Sequence, residues 1–320
     1  MKAVVRYQYG TPENIRVVNM PKPLPNPTEV LIRIKATTIN RTDCGVLTGA
    51  PYIFRFFVGW PKPRTPILGT DFAGIVEAVG EKVTKFKVGD KVWGFDDNGL
   101  PSQAEYLVYQ EDKNILPIPD ALSFKEAAAC AEGAHYAVNF LKYVKLNPES
   151  KVLVNGATGG IGSALVQLLK SQGVHVTATA NSKNMDLIRS LGLEKVIDYE
   201  KEDFTKLSEA FDVIFDAVGK STFGKCKSML NKNGCYLSSE LGDGIENLYL
   251  PLITKLKGGK RVLFPLPTDI KGSMMVIQKM VIEGKFRPII EKSFSIDQAR
   301  EAYQYVVSGQ KTANVVFEIS

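Results

Sequence analysis

A glycine-rich segment near the middle of the chain has the composition of a turn that binds phosphate groups. It consists of Gly156, Ala157, Thr158, Gly159, Gly160, Ile161 and Gly162, between an apolar run at 152–154 and an amphipathic run at 163–170. A buried strand, a glycine turn and a helix in this order form the first half of a dinucleotide-binding unit. Glycine at 159 would let the backbone approach a pyrophosphate, and the first N–H groups of the helix would bind its negative charge. An ordinary strand-to-helix turn is the alternative interpretation.

Residues about twenty positions further along should select the cofactor. The run 174–180 predicts the second strand, and Asn181, Ser182 and Lys183 follow it. A site specific for NAD usually has Asp or Glu there, which accepts a hydrogen bond from the ribose 2′-hydroxyl. Ser182 and Lys183 can instead donate to a 2′-phosphate, so the sequence favours NADPH. In the alternative interpretation Asn181 and Ser182 merely cap the helix that follows.

Composition and charge narrow the class of protein. The 320 residues are 44% hydrophobic and 23% charged, which is typical of a globular protein with room for two domains. The 40 basic and 34 acidic residues are spread along the chain, so we expect no nucleic-acid surface. No apolar run approaches the ~18 residues of a membrane span. The four widely spaced cysteines indicate a reducing, cytoplasmic location.

The pattern of elements changes near residue 120. Short β-type runs separated by Pro and Gly fill residues 1–120 and predict a β-rich domain. Further along, apolar strand-like runs alternate with helical segments, as in a doubly wound parallel sheet. These runs lie at 152–155, 174–179, 195–198, 211–217 and 234–238, and a run at 261–264 could add a sixth strand. We therefore predict an α/β fold.

With these pieces in order, the chain resembles the zinc-free quinone oxidoreductases of the medium-chain dehydrogenase/reductase superfamily. The resemblance covers essentially the whole length and is carried by the order and spacing of several motifs. They are Asn40-x-x-Asp43, Leu68–Gly74, Val88–Val92, the glycine turn, Val196–Tyr199 and Phe211–Gly219. The resemblance implies a GroES-like β-barrel domain at 1–120, rejoined by 270–320, and a Rossmann domain at 121–269. It also implies a homodimer, with the nicotinamide in the cleft between the domains.

Zinc-dependent members of the superfamily carry metal ligands that this chain lacks. They have a Cys shortly before the position of Asp43, Gly-His-Glu at 69–71 and a further Cys near 131. This chain has Asn40–Thr42, Gly69–Asp71 and Ala131 at those places, and only two histidines in all. We therefore expect no metal site. Hydride addition to a quinone or an α,β-unsaturated carbonyl compound suits such a site, because the negative charge delocalises onto an oxygen that a hydrogen bond can stabilise.

The resemblance supplies three catalytic candidates. Asn40 would donate its amide to a substrate carbonyl, or else would cap the turn after the preceding strand. Tyr52, in a proline-rich loop, would hydrogen-bond or protonate the developing enolate. His135 would act as a donor beside the nicotinamide, where the family commonly has Thr, and a structural histidine on a helix face is the alternative.

Three further residues complete the expected cofactor site. Tyr199 matches a tyrosine that touches the 2′-phosphate in similar reductases, unless it only packs at a strand end. Val218 and Gly219 end the fourth strand and should line the ribose next to the nicotinamide. Together with these residues, the resemblance implies an NADPH-dependent quinone or enone reductase. The alternatives are a trans-2-enoyl-thioester reductase and an NADPH-binding protein with little catalysis.

Overall fold

The structure is a computed structural model that describes residues 1–50, 52 and 55–319, and its chain divides into two compact units. The β-rich unit comprises Met1–Glu132, Ile270–Ile282 and residues 287–319. The α/β unit comprises Gly133–Asp269 and Glu283–Phe286. Among the described residues, none of the helices combines the length and the apolar character needed to cross a membrane.

The strands and helices are as follows. The strands are β1 (Lys2–Val5), β2 (Arg16–Asn19), β3 (Glu29–Thr38), β4 (Asp71–Val79), β5 (Lys91–Phe95), β6 (Tyr106–Gln110), β7 (Ile115–Pro117), β8 (Lys151–Asn155), β9 (His175–Ala180), β10 (Lys195–Asp198), β11 (Phe211–Asp216), β12 (Leu230–Ser238), β13 (Arg261–Leu263), β14 (Ile290–Ser295) and β15 (Asn314–Glu318). The helices are α1 (Arg41–Thr48), α2 (Arg55–Val58), α3 (Phe124–Ala129), α4 (Glu132–Lys142), α5 (Gly160–Ser171), α6 (Met185–Arg189), α7 (Phe223–Cys226), α8 (Glu246–Lys257), α9 (Ile270–Ile282) and α10 (Ala299–Val307). Short 3-10 helices cover Pro12–Asn14, Ser182–Asn184, Phe204–Lys206, Lys227–Met229, Asp243–Ile245 and Ile296–Gln298.

The α/β unit contains the parallel sheet that the alternation of strands and helices predicts. Its strand order is β10-β9-β8-β11-β12-β13, and every neighbouring pair is parallel. The central strands are apolar along most of their length; in β8, for example, Val152, Leu153 and Val154 are fully buried. Strands of this kind are covered by helices on both faces. The predicted doubly wound α/β fold is therefore confirmed.

The β-rich unit is built around the long strand β3. One edge of β3 pairs with β4, and the other pairs with β6 along its first half and with β15 at its end. The sheet continues from β4 to β5 and β7, and from β15 to β14. Its core includes Phe72, Phe317 and Tyr303, all fully buried. Packing of these side chains from distant parts of the sequence holds the strands together.

The boundary between the units lies at Glu132, later than the 120–121 boundary expected from the sequence. The reason is α3, which packs on β3, β4 and β15 of the β-rich unit. Its start has the expected capping box, in which the Glu126 carboxylate accepts from the Ser123 N–H at 2.9 Å. The C-terminal segment rejoins the β-rich unit through α9, β14, α10 and β15.

Candidate cofactor site and buried acidic cluster

The glycine turn follows β8 and is tied to the neighbouring strand β9. Gly156 has a φ of +84°, a backbone conformation that favours glycine. The Ala157 N–H donates to the Thr179 carbonyl at 3.2 Å, and the Gly156 N–H donates to the Thr179 hydroxyl at 3.0 Å. These bonds fix the turn at the carboxyl ends of the parallel strands, where ligands bind in sheets of this type.

Gly162 shows why this turn needs glycine. A Cβ atom at Gly162 would lie 2.1 Å from the Gly156 carbonyl oxygen and 2.8 Å from the Ala157 Cα. At Gly159, by contrast, a Cβ would have the Gly156 oxygen at 3.6 Å as its nearest neighbour and would otherwise meet open space. Helix α5 therefore starts directly against the turn, and the backbone at Gly159 is open to a ligand.

This geometry fits the pyrophosphate of a dinucleotide. Gly159 occupies the N-cap position of α5, so the first N–H groups of a twelve-residue helix are left for an anion. Val218 lies against the turn, since a Cβ at Gly156 would come within 2.8 Å of the Val218 side chain. The structure thus places the predicted residues of the turn beside Val218, at the ends of β8 and β11.

A buried polar network that the sequence analysis did not identify holds this region together. Asp216, at the end of β11, is completely buried and accepts hydrogen bonds on both carboxylate oxygens. Its Oδ1 accepts from Asn155 Nδ2 at 3.0 Å and from the Gly219 N–H at 3.0 Å. Its Oδ2 accepts from the Ser221 N–H at 2.9 Å and the Tyr236 hydroxyl at 3.0 Å. Asp216 therefore joins the ends of three strands to the loop that carries Val218 and Gly219.

Asn155 extends this network to β9. Its Oδ1 accepts from the Thr179 hydroxyl at 2.8 Å, which in turn accepts from the Gly156 N–H. The sequence signal for the network was a polar residue at or next to the end of each apolar strand, namely Asn155, Thr179 and Asp216. Polar side chains at the ends of adjacent parallel strands meet at one edge of the sheet.

The residues predicted to select the cofactor lie together at the ends of β9 and β10, but two carboxylates lie among them. The Ser182 hydroxyl donates to Asp198 Oδ2 at 2.6 Å, and the Ser182 N–H donates to Glu200 Oε2 at 2.9 Å. The Tyr199 ring is 47% exposed, and Lys183 is exposed as well. The hydroxyl and the N–H of Ser182 are thus both engaged within the protein. The contact of Ser182, Lys183 and Tyr199 with a 2′-phosphate stays a prediction.

In the β-rich unit, Asn40 precedes α1 and both of its amide donors are engaged. Its Nδ2 donates to the Thr38 hydroxyl at 2.6 Å and to Asp71 Oδ2 at 3.3 Å. Its backbone N–H donates to Asp43 Oδ2 at 2.8 Å, as in a capping box. This arrangement favours the capping role that the sequence analysis considered, and donation to a substrate stays a prediction.

The other two catalytic candidates differ in their exposure to solvent. Tyr52 is 71% exposed, and the Arg55 guanidinium lies 4.5 Å from its ring centre. His135 on α4 is 1% exposed, and burial lowers its pKa to about 4. Its ring is therefore neutral near pH 7. On the same helix, Asn139 Nδ2 donates to the His135 carbonyl and Asn139 Oδ1 accepts from the Thr268 N–H, so this face has a structural role.

The β-rich unit also buries a cluster of acidic groups around Glu132. The Thr42 hydroxyl donates to Glu132 Oε1 at 2.7 Å. Glu132 Oε2, Asp43 Oδ1 and Thr70 Oγ1 are buried and have no hydrogen-bond partner among the described residues. Burial raises the pKa of Asp43 well above its ordinary value, and that of Asp71 to about 6 although Asp71 accepts several hydrogen bonds. The sequence analysis singled out Asp43 in this cluster but did not identify Glu132.

The environment of Glu132 raises the pKa of its carboxyl group. Burial raises its pKa to about 8, Asp97 and Asp71 add to the shift, and Thr42 and Lys311 oppose it. Burial also lowers the pKa of Lys311, which weakens the tendency of this amine to keep Glu132 charged. Glu132 therefore keeps its proton at neutral pH.

We expect the Glu132→Gln variant to gain stability relative to the natural protein as pH rises. Between the ordinary value of 4.5 and about 8, the unfolded glutamate is ionised while the folded one retains its proton. The unfolding free energy therefore falls with pH, by up to ~1.4 kcal/mol per pH unit, and glutamine removes this loss. Urea denaturation at pH 5 and pH 8 measures the difference, with Glu81→Gln, at an exposed position of the same unit, as control. A stability difference from the natural protein that does not change between the two pH values would contradict the assigned shift.

In residues 1–50, 52 and 55–319, no group of three or more His, Cys, Asp or Glu side chains is arranged to hold a metal ion. The four cysteines are free thiols, and three of them are buried.

Comparison with known proteins identifies the family. Residues 26–120 match the model of the alcohol dehydrogenase GroES-like domain, and residues 191–317 match that of a zinc-binding dehydrogenase. The chain is 30% identical to the chloroplastic quinone-oxidoreductase QR1 of Triphysaria versicolor, over 99% of this chain and 98% of that protein. It is also 30% identical to the 2-methylene-furan-3-one reductase of Solanum lycopersicum, over 99% of this chain and 78% of the relative. The quinone oxidoreductase from Coxiella burnetii has a similar structure, with a TM-score of 0.86 and 26% identity over 100% of this chain and 99% of that one.

The fold and the glycine turn thus define an oxidoreductase of a family that binds a nicotinamide cofactor. More specifically, the chain belongs to the medium-chain dehydrogenase/reductase superfamily and is quinone oxidoreductase-like, as its motifs predicted.

Proposed function

We propose that this protein is an NADPH-dependent, zinc-independent reductase of quinones or α,β-unsaturated carbonyl compounds. The observation that carries the proposal is the open backbone at Gly159, between the Gly156 turn and the start of α5. When a cofactor binds with its pyrophosphate there, its reduced nicotinamide supplies a hydride, which such acceptors take up without a metal ion.

The residues of the α/β unit have distinct tasks in this proposal. The N–H groups at the start of α5 bind the pyrophosphate. Asp216 holds Val218 and Gly219 in place for the nicotinamide half through their N–H groups. Lys183, Ser182 and Tyr199 lie at the strand ends where the adenosine half binds. In this proposal they contact the 2′-phosphate, which takes the Ser182 N–H from Glu200.

The relatives support the substrate class. One is named for a quinone and another for 2-methylene-furan-3-one, in which a carbon–carbon double bond is conjugated to a carbonyl group. In both types of acceptor the charge that follows hydride addition delocalises onto oxygen. A hydrogen bond to that oxygen then stabilises the transition state. Among the three candidate donors, Tyr52 has an exposed side chain. Asn40 would have to give up Thr38 or Asp71, and His135 is buried.

A turnover assay tests this function. The protein is mixed with NADPH and, in separate reactions, with a quinone, an alkyl enone and an enoyl thioester, and the loss of NADPH absorbance is followed. We expect turnover with the quinone or the enone. Turnover with the thioester alone would favour the enoyl-thioester reductase, and tight NADPH binding with no turnover would favour a binding protein. A reaction without acceptor corrects for oxidation by air.

We also propose a cytoplasmic homodimer. The short strand β13 lies at the edge of the α/β sheet, and Leu252 and Leu256 of the adjacent α8 are exposed. A strand edge and apolar side chains of this kind suit pairing with a second copy. Light scattering of the purified protein tests the stoichiometry.

A further inference from the structure

The position of Glu200 bears on cofactor selection. Strands β9 and β10 are paired so that Asp198 lies opposite Ala180, and the Tyr199 N–H donates to the Ala180 carbonyl at 3.0 Å. This register places the residues after β10 beside those after β9. The Glu200 carboxylate therefore reaches the Ser182 N–H.

Asp198 and Glu200 are held differently. Asp198 accepts from the Ser182 hydroxyl and from the Glu200 N–H, and the Lys201 amine lies 3.1 Å from it. The Ser182 hydroxyl is the largest cause of its lowered pKa, so Asp198 is ionised at neutral pH. Glu200 is exposed and is bound through the Ser182 N–H, so its side chain can move away at a smaller cost.

A 2′-phosphate bound at the ends of β9 and β10 would use the same donor as the Glu200 carboxylate, because each is an anion that can accept from the Ser182 N–H. The two cannot occupy that donor together, and they repel each other at short range. A ribose 2′-hydroxyl, in contrast, can donate to a carboxylate.

We propose that Glu200 is a specificity-determining residue that weakens NADPH binding by occupying the 2′-phosphate position. The inference rests on the proposed function in so far as the cofactor binds at the glycine turn. NADPH must displace Glu200 from Ser182, whereas NADH can leave it in place. Glu200 thus narrows the preference for NADPH that Ser182, Lys183 and Tyr199 would otherwise produce.

The Glu200→Gln variant tests the proposal because it removes the charge and keeps the shape of the side chain. Glu202→Gln is the matched control, since Glu202 is exposed, lies two residues away and loses the same charge. Isothermal titration calorimetry measures the dissociation constants of NADPH and NADH for the natural protein and both variants. The same titrations with adenosine 2′,5′-bisphosphate and with adenosine 5′-monophosphate isolate the adenosine half.

We expect Glu200→Gln to bind NADPH and the bisphosphate on the order of tenfold more tightly, with little change for NADH and the monophosphate. Glu202→Gln should change the dissociation constants of all four ligands slightly and by similar factors. High salt should reduce the gain of Glu200→Gln, because the effect is electrostatic at an exposed site. An unchanged affinity of Glu200→Gln for the bisphosphate, or an equal gain for all ligands, would overturn the proposal.

The titrations of Glu200→Gln and the turnover assay test the two proposals independently. A selective gain in phosphate affinity without turnover on any acceptor would support the role of Glu200 and contradict the proposed reductase. Turnover combined with unchanged cofactor selectivity in Glu200→Gln would support the reductase and overturn the role of Glu200.

Discussion

Gly162→Ala is expected to lose nicotinamide-cofactor binding by a factor of roughly a hundred or more, about 3 kcal/mol in binding free energy. The added Cβ would meet the Gly156 carbonyl oxygen at 2.1 Å and the Ala157 Cα at 2.8 Å. Both contacts are with backbone, so the clash is relieved only if α5 moves away from the turn. That movement separates the N–H groups of the helix from the phosphate position and also costs roughly 1–3 kcal/mol of folding stability. Calorimetric titration with NADPH and urea denaturation measure the two effects.

Gly159→Ala is the matched control for this prediction. Its Cβ would have a nearest neighbour at 3.6 Å, and the φ of −79° is one that alanine adopts freely. We expect stability close to that of the natural protein, with weaker cofactor binding because the methyl group projects into the open space. If Gly162→Ala were as stable as Gly159→Ala and bound NADPH normally, α5 would not depend on the contact we describe.

Asp216→Asn is expected to destabilise the α/β unit by roughly 2–5 kcal/mol. The carboxylate accepts on both oxygens, whereas an amide accepts on its single oxygen and turns an NH₂ group toward the remaining donors. Either orientation leaves buried N–H or O–H groups facing N–H groups, without water to replace the lost bonds. Because Asp216 positions Gly219 and Asn155, cofactor affinity should fall with stability. Urea denaturation and titration with NADPH measure both quantities.

The control for Asp216→Asn lies on the same strand. Asp212 is partly exposed and accepts from the Lys151 N–H and from Asn231 Nδ2. Asp212→Asn makes the same chemical change where water can reach the side chain, so we expect a smaller loss of stability. A loss as large as that of Asp216→Asn would mean that the buried network is not the cause.

The sequence indicated the α/β unit more fully than the β-rich unit, and the reason is the range of the interactions. In the α/β unit, a buried strand such as β8, its turn and helix α5 are consecutive, so local periodicity was enough to predict them. In the β-rich unit, β3 pairs with β15 at the far end of the chain, and hydrophobic alternation carries no information about such a partner. The motif resemblance, not the pattern of residues, led us to expect that the C-terminal segment rejoins this unit.

The candidate site also combines features that the local sequence predicts with features that depend on distant residues. The glycine turn after β8 was readable from the sequence, because Gly159 and Gly162 have the spacing of a dinucleotide-binding turn. The contact of Ser182 with Glu200 was not, because it depends on the register between β9 and β10. The burial of Glu132 was hidden too, since a glutamate at the start of a helix is usually a solvated residue that favours the helix dipole.

The place of β15 between β14 and β3 has a consequence for how the chain matures on the ribosome. The α/β sheet has all its strands once Leu263 has been synthesised. The older N-terminal half, in contrast, must wait for residues 314–318 before the end of β3 gains its neighbour. The two sheets are therefore completed in the reverse of the order in which their synthesis begins. The β-rich sheet starts first and gains its last strand after the α/β sheet is complete. In the nascent chain, the unpaired edge of β3 at residues 36–38 is the surface that a chaperone would have to shield.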